Sequence, residues 1–269
     1  MALCIEHSVD AALLNSAPRI VRIWLPEDYD VASEKRYPVL YMQDGENLAD
    51  PSWASGYSWN APEQVLLAVR EGKIEPIILV GIDNGKDNRV PEYTCETTPK
   101  AYRGVKRYLK REWTPMGEAY GRFLFTVVKP LVDSTYRTLP SGDQTGIAGS
   151  SCGANIALEL WARHPESFGV VGAFSPAYWI VGAPLHETIQ KAALDRRTKI
   201  YHDMGGKERK WFPIRDLLPA HRFHRLMKAM GWKDQNLKFV IDPNATHTEL
   251  FWQSRFLGFL NFAYRKDLK

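Results

Sequence analysis

Five residues, Gly149-Ser150-Ser151-Cys152-Gly153, constrain this chain more than any others. They follow the apolar run Thr145-Gly146-Ile147-Ala148 and open a stretch of helical spacing, so a G-x-S-x-G pattern lies between a strand and a helix. A reversal that tight is strained. The neighbours of the central serine must be small, because a bulky side chain would collide with the adjacent strand or helix. Ser151 is then raised above the end of a sheet with its hydroxyl accessible. The spelling alone is weak evidence, and the rest of the chain has to supply the context.

That context is an alternation of strands and helices. Strands are expected at Arg19–Leu25, Tyr37–Gln43, Glu75–Asp83, Thr145–Ser150, Gly169–Ser175, Lys199–Met204 and Leu237–Asp242, most of them apolar and parallel in type. Helical spacing marks Ala61–Glu71, Glu118–Arg137, Cys152–Arg163 and a stretch from about Glu249 to Arg265, with Pro130 expected to kink the second. No Gly/Ser-rich linker and no internal repeat divides the chain. The expectation is one α/β domain over residues 1–269, a doubly wound and mostly parallel sheet with helices on both faces. Residues 84–117 break the rhythm. They carry Arg89, Lys100, Arg103, Lys106, Arg107, Lys110 and Arg111, and read either as a solvated insertion or as a lid over the site.

Composition narrows the function classes. A net charge of +4 from 35 basic and 31 acidic residues is too mild to indicate nucleic acid or a membrane surface. No run approaches the length of a membrane-spanning helix. The first residues, Met-Ala-Leu-Cys-Ile-Glu-His, lack the basic start of a secretion signal, and three cysteines make no disulfide framework. A reducing, cytoplasmic setting is expected. So is a small-molecule or saccharide partner, with a homodimer admissible. No metal or cofactor is called for.

Acyl transfer by a serine needs a base, a group that orients the base, and donors for the oxyanion. In strand–elbow–helix sites the chain order is serine, acid, histidine. Among seven histidines, His7 lies before the expected fold, His164 closes the helix after the elbow, and His186 sits near a helix start. His221 and His224 share one helical face, and His202 is inside a strand. His247 alone follows the last strand on a turn, where a base belongs. The acid is expected after Lys199–Met204, and spacing leaves Asp203 and Glu208 undecided. The oxyanion donors expected are the main-chain N–H groups of Cys152, next to the nucleophile, and of Glu46 in the Asp44-Gly45-Glu46 loop. The Cys152 thiol is read as a bystander.

These stretches resemble the esterase D and enterochelin-esterase-like branch of the α/β-hydrolases, which includes feruloyl esterases. The resemblance runs from about Arg19 to Phe262. It rests on Tyr37–Gly45, Gly81–Gly85 with Arg89 and Glu92-Tyr93-Thr94, Lys129-Pro130 through Pro140, Ile147–Gly153, Gly172–Trp179, Gly205–Glu208, and His247-Thr248-Glu249 with Trp252. It implies an α/β-hydrolase fold and a serine carboxylic-ester hydrolase with Ser151 and His247 in catalysis. It places the acid on Glu208, with Asp203 as the alternative. It also implies that Tyr57, Trp59 and Trp179 line the substrate cleft. The substrate classes implied are acyl groups on sugars, hydroxycinnamates or small esters. A siderophore lactone, a thioester, or an acceptor alcohol in place of water are the alternatives, and a scaffold without turnover is the contrasting class. The chain departs from the usual Gly-x-Ser-x-Gly-Gly at Ala154.

Overall fold

A computed structural model describes residues 4–31, 33–52, 54–95, 113–208 and 214–266. The strands are β1 Cys4–Val9, β2 Arg19–Trp24, β3 Val39–Gln43, β4 Ile78–Ile82, β5 Thr145–Ser150, β6 Val170–Phe174, β7 Lys199–Gly205 and β8 Leu237–Asp242. They form one eight-stranded sheet in the order β1-β2-β4-β3-β5-β6-β7-β8. β1 and β2 are antiparallel additions at one edge, and every pairing from β4 to β8 is parallel. β3, β4, β5 and β6 are buried along their whole length, which is why they read as apolar runs without alternation.

Both faces are covered. α1 (Ala61–Arg70) and α8 (Glu249–Ala263) pack on one face through Val65, Ala68, Phe256, Phe259 and Leu260. The other face carries α2 (Arg89–Glu92), α3 (Gly117–Phe123), α4 (Lys129–Thr135), α5 (Cys152–Arg163), α6 (Tyr178–Lys191) and α7 (Ile214–Ala229). Its core includes Tyr120, Val132, Ile156, Trp161, Tyr178 and Phe223. α5 is buried from Cys152 to Ala162, so the helix after the elbow runs through the middle of the molecule.

Two features differ from the sequence expectation, and a third concerns the expected kink at Pro130. β1 was not expected, and it contains His7, whose Nε2 shares a 2.7 Å hydrogen bond with the Tyr136 hydroxyl. α6 has no counterpart either, because Gly182 and Pro184 interrupt its pattern. Pro130, expected to kink the Glu118–Arg137 helix, lies just after an irregular turn in it. Lacking an N–H, it cannot bond the carbonyl one turn back. The chain widens into a π-helical turn over Leu124–Val128, immediately before α4, and continues to Thr135.

The segment 84–117 divides. Pro91 to Cys95 are buried, and Met116 and Gly117 donate main-chain hydrogen bonds to Pro91 and Thr94. These ends are therefore packed into the fold rather than solvated. Lys100, Arg103, Lys106, Arg107, Lys110 and Arg111 lie outside the described residues. Among the described residues, no helix is long and apolar enough to cross a membrane.

Candidate active site

The elbow is built by close backbone approach. A Cβ on Gly149 would lie 2.7 Å from the Gly153 main chain, and one on Gly153 would lie 3.0 Å from the Gln43 Cβ. Only at such separations can the chain turn from β5 directly into α5. Ser151 takes the strain at φ 57, ψ −121, a conformation that costs a non-glycine residue about 1–3 kcal/mol. Its N–H donates to the Phe174 carbonyl at 2.9 Å, and its own carbonyl accepts from Ala177 at 3.3 Å. The serine is thus tied to the loop after the neighbouring strand β6. The Cys152 N–H is the first of α5, where a helix offers it no partner. The Cys152 thiol is buried, and that burial pushes its ionisation up.

The loop after β3 meets the elbow from the other side. Asp44 adopts the left-handed conformation at φ 58 and lies against the start of α5, its Oδ2 being 3.2 Å from a Cβ built on Gly153. Arg89 clamps the Asp44 carboxylate through two hydrogen bonds of 2.6 and 2.7 Å, and the Asn84 amide adds a third at 2.8 Å. Arg89 is therefore committed to this loop. Sequence reasoning grouped it with the cations of the insertion and missed both partners.

Glu46 follows in a 3₁₀ turn and accepts the Asn84 N–H at 3.0 Å. Burial, reinforced by the Asp44 charge, pushes its carboxyl up to about 7. A carboxyl whose folded value lies above its ordinary value near 4.5 is stabilised in its protonated form. That contribution is complete below the unfolded value and is lost as pH rises through about 7. Glu46→Gln should therefore leave stability near pH 4 unchanged and raise it at pH 8 by about 3 kcal/mol, measured by urea unfolding. Equal pH dependence in both proteins would contradict this account.

The loops after β7 and β8 are stitched together. Gly206 donates to the Asp242 carbonyl at 2.7 Å and Lys207 to that of Ala245 at 2.9 Å. A Cβ on Gly205 would lie 2.5 Å from the Ala245 oxygen, so this contact needs the bare backbone. The stitching brings Glu208 to His247, and Glu208 Oε2 forms a short hydrogen bond with His247 Nδ1. Burial pushes the Glu208 carboxyl up. His247, Ser175 and the Gly205 N–H outweigh burial and hold it below the usual range. Asp203, the other carboxylate, is fully buried and receives Arg255 at 2.8 and 3.1 Å and the Ser175 N–H at 2.9 Å. It pairs with Arg255 and not with His247.

The aromatic residues divide. Tyr57 and Trp179 are 48% and 39% exposed. Trp179 is the second residue of α6, two residues after Ala177, and Ser55 anchors the Tyr57 loop to Glu249, two residues beyond His247. Trp59 departs from its expected place on the cleft. It is 1% exposed and packs between Phe174, Phe256 and Trp252. Trp252 in turn meets the His247 ring edge-on at 5.0 Å. An indole can serve core or cleft equally, and sequence could not tell which side of the chain it would take. His202, within β7, is buried against Phe239, and His224 lies 3.4 Å from it, both on α7 and β7 rather than in the loops that follow the strands. Among the described residues, no group of three or more His, Cys, Asp or Glu side chains could hold a metal ion.

The fold has known counterparts. A ferulic acid esterase superposes with a TM-score of 0.71 at 20% identity, covering 98% of both chains. An IroE-like serine hydrolase from Shewanella oneidensis superposes with a TM-score of 0.72 at 19% identity, over 97% of this chain and 79% of that one. These likenesses establish the α/β-hydrolase fold. Protein YbbA of Bacillus subtilis (strain 168), itself uncharacterised, is 25% identical over 252 residues, 91% of this chain and 92% of its own. The model of the family described as "Putative esterase" matches residues 14–263, and the chain belongs to that esterase family.

Proposed function

We propose that the protein is a serine carboxylic-ester hydrolase working through an acyl-enzyme at Ser151. The observation that carries this reading is the His247–Glu208 hydrogen bond, on loops at the same sheet end as the strained Ser151 elbow. The His247 ring then holds its proton on Nδ1, and Nε2 is left as the base. As Ser151 Oγ attacks the acyl carbon, Nε2 takes the hydroxyl proton. The Cys152 N–H receives the oxyanion, joined by the Glu46 N–H once it leaves its own carboxylate, each donor contributing about 3 kcal/mol in the transition state. The tetrahedral intermediate collapses, the alcohol leaves with the proton from His247, and water repeats the sequence to release the acid.

Tyr57 and Trp179 supply exposed aromatic surface beside these loops. That surface favours a substrate with a flat or apolar portion, such as a hydroxycinnamoyl ester or an acylated sugar. Intact-mass labelling with a fluorophosphonate tests the core of the reading. One adduct on the wild type and none on Ser151→Ala is expected; no adduct on folded wild type would overturn it. Product analysis with a sugar alcohol added then separates hydrolysis from acyl transfer.

A further inference from the structure

Ser175 follows β6 and sits at φ 44, in the left-handed region that glycine enters without strain. It is fully buried, and four groups converge on its side chain and backbone. Its Oγ lies 3.0 Å from Trp252 Nε1 and 3.1 Å from Arg255 Nη2. It lies 2.6 Å from Glu208 Oε1, and its N–H is held by Asp203. The proton count here has one solution. An indole N–H and a guanidinium can only donate, so they take both acceptor positions of the hydroxyl. The single hydroxyl proton must then point at Glu208 Oε1.

We propose that Ser175 is the positioning residue for the acid of this site, sorting the two oxygens of Glu208 so that Oε2 alone serves His247. Oε1 receives the Ser175 hydroxyl and the Gly205 N–H, the latter at 2.7 Å, and is saturated by donors from the protein interior. Any proton on the carboxyl would have to sit on Oε2, where the His247 N–H already points. The network therefore holds Glu208 as a carboxylate and keeps the imidazole proton on Nδ1. Arg255 and Trp252 act one step further back, by denying the hydroxyl any other orientation. Asp203 acts behind them by neutralising Arg255. The strained backbone is consistent with this role, because a glycine would relieve the strain and lose the hydroxyl.

The proposal rests on the acyl-enzyme reading, and three variants separate the two. Ser175→Ala removes the hydroxyl and keeps a Cβ at positive φ, whereas Ser175→Gly removes the hydroxyl and relaxes the backbone. Both should lower kcat by about tenfold or more, the usual scale for a hydrogen bond to a charged group, with KM within about twofold. In both, the downfield proton resonance of His247 Nδ1 should move upfield or vanish. Ser151 should still take the fluorophosphonate, more slowly. Wild-type kcat and an unmoved resonance in Ser175→Gly would overturn the proposal and leave Ser175 a purely structural residue. Glu208→Gln is the control. A loss of kcat there, with Ser175 variants unaffected, sinks the positioning role alone. An unchanged kcat in Glu208→Gln sinks the assignment of the acid and this proposal with it.

Discussion

Ser151→Ala should lower kcat on a reactive ester such as p-nitrophenyl acetate by at least about 10⁴-fold, a loss of more than about 5 kcal/mol of transition-state stabilisation. The fold should survive. Alanine meets the same backbone strain at φ 57 that serine does, and the hydroxyl makes no cap hydrogen bond to α5. Thermal unfolding of the two proteins should therefore nearly coincide. The residual rate should come from the oxyanion donors and binding, as when any member of a cooperating catalytic set is removed. A variant that keeps its full rate would remove Ser151 as nucleophile. One that loses rate and melts far below wild type would show that the elbow needs the hydroxyl for folding.

The largest stability effect is expected at Glu92. It is fully buried and joins Arg19, itself 4% exposed, through two hydrogen bonds of 2.9 Å. Arg19 also reaches the Asp83 carbonyl at 3.0 Å, so the guanidinium ties β2, the end of β4 and α2 together. Glu92→Ala leaves that cation buried without its counter-charge, which typically costs about 3–5 kcal/mol. The urea midpoint should fall accordingly. Replacing both partners by apolar residues, Arg19→Met with Glu92→Leu, should recover most of the loss, because no charge is then left unpaired. A single variant within about 1 kcal/mol of wild type would mean that water reaches the pair. Since Arg89 lies three residues from Glu92, the single variant should also loosen the clamp on Asp44 and slow turnover.

What could be read from sequence follows from how local each signal is. The elbow is written in adjacent small residues, so its position and the strand and helix around it were legible. The order of buried strands was legible for the same reason, since each is a short apolar run. His247 and Glu208 come from chain order and resemblance, and the geometry brings these two into contact. The Arg255–Asp203 and Arg89–Asp44 pairs join residues 52 and 45 positions apart, and nothing in either neighbourhood announces its partner. Trp59 was misplaced because aromatic character does not encode direction. β1 was missed because Cys4–Val9 mixes polar and apolar residues at an edge, where only Val9 is buried.

The site takes its parts from five separate returns of the chain, near Asp44, Arg89, Ser151, Glu208 and His247, gathered by strands that are not all neighbours in sequence. No contiguous fragment holds a working set. Loops spanning most of the chain must close before these groups meet, and folds dominated by such distant pairings form slowly. A chain that has merely collapsed, with helices in place and the parallel sheet unfinished, has no chemistry to offer. Regained turnover during refolding is thus a late signal, marking the moment when β3 through β8 have locked into register.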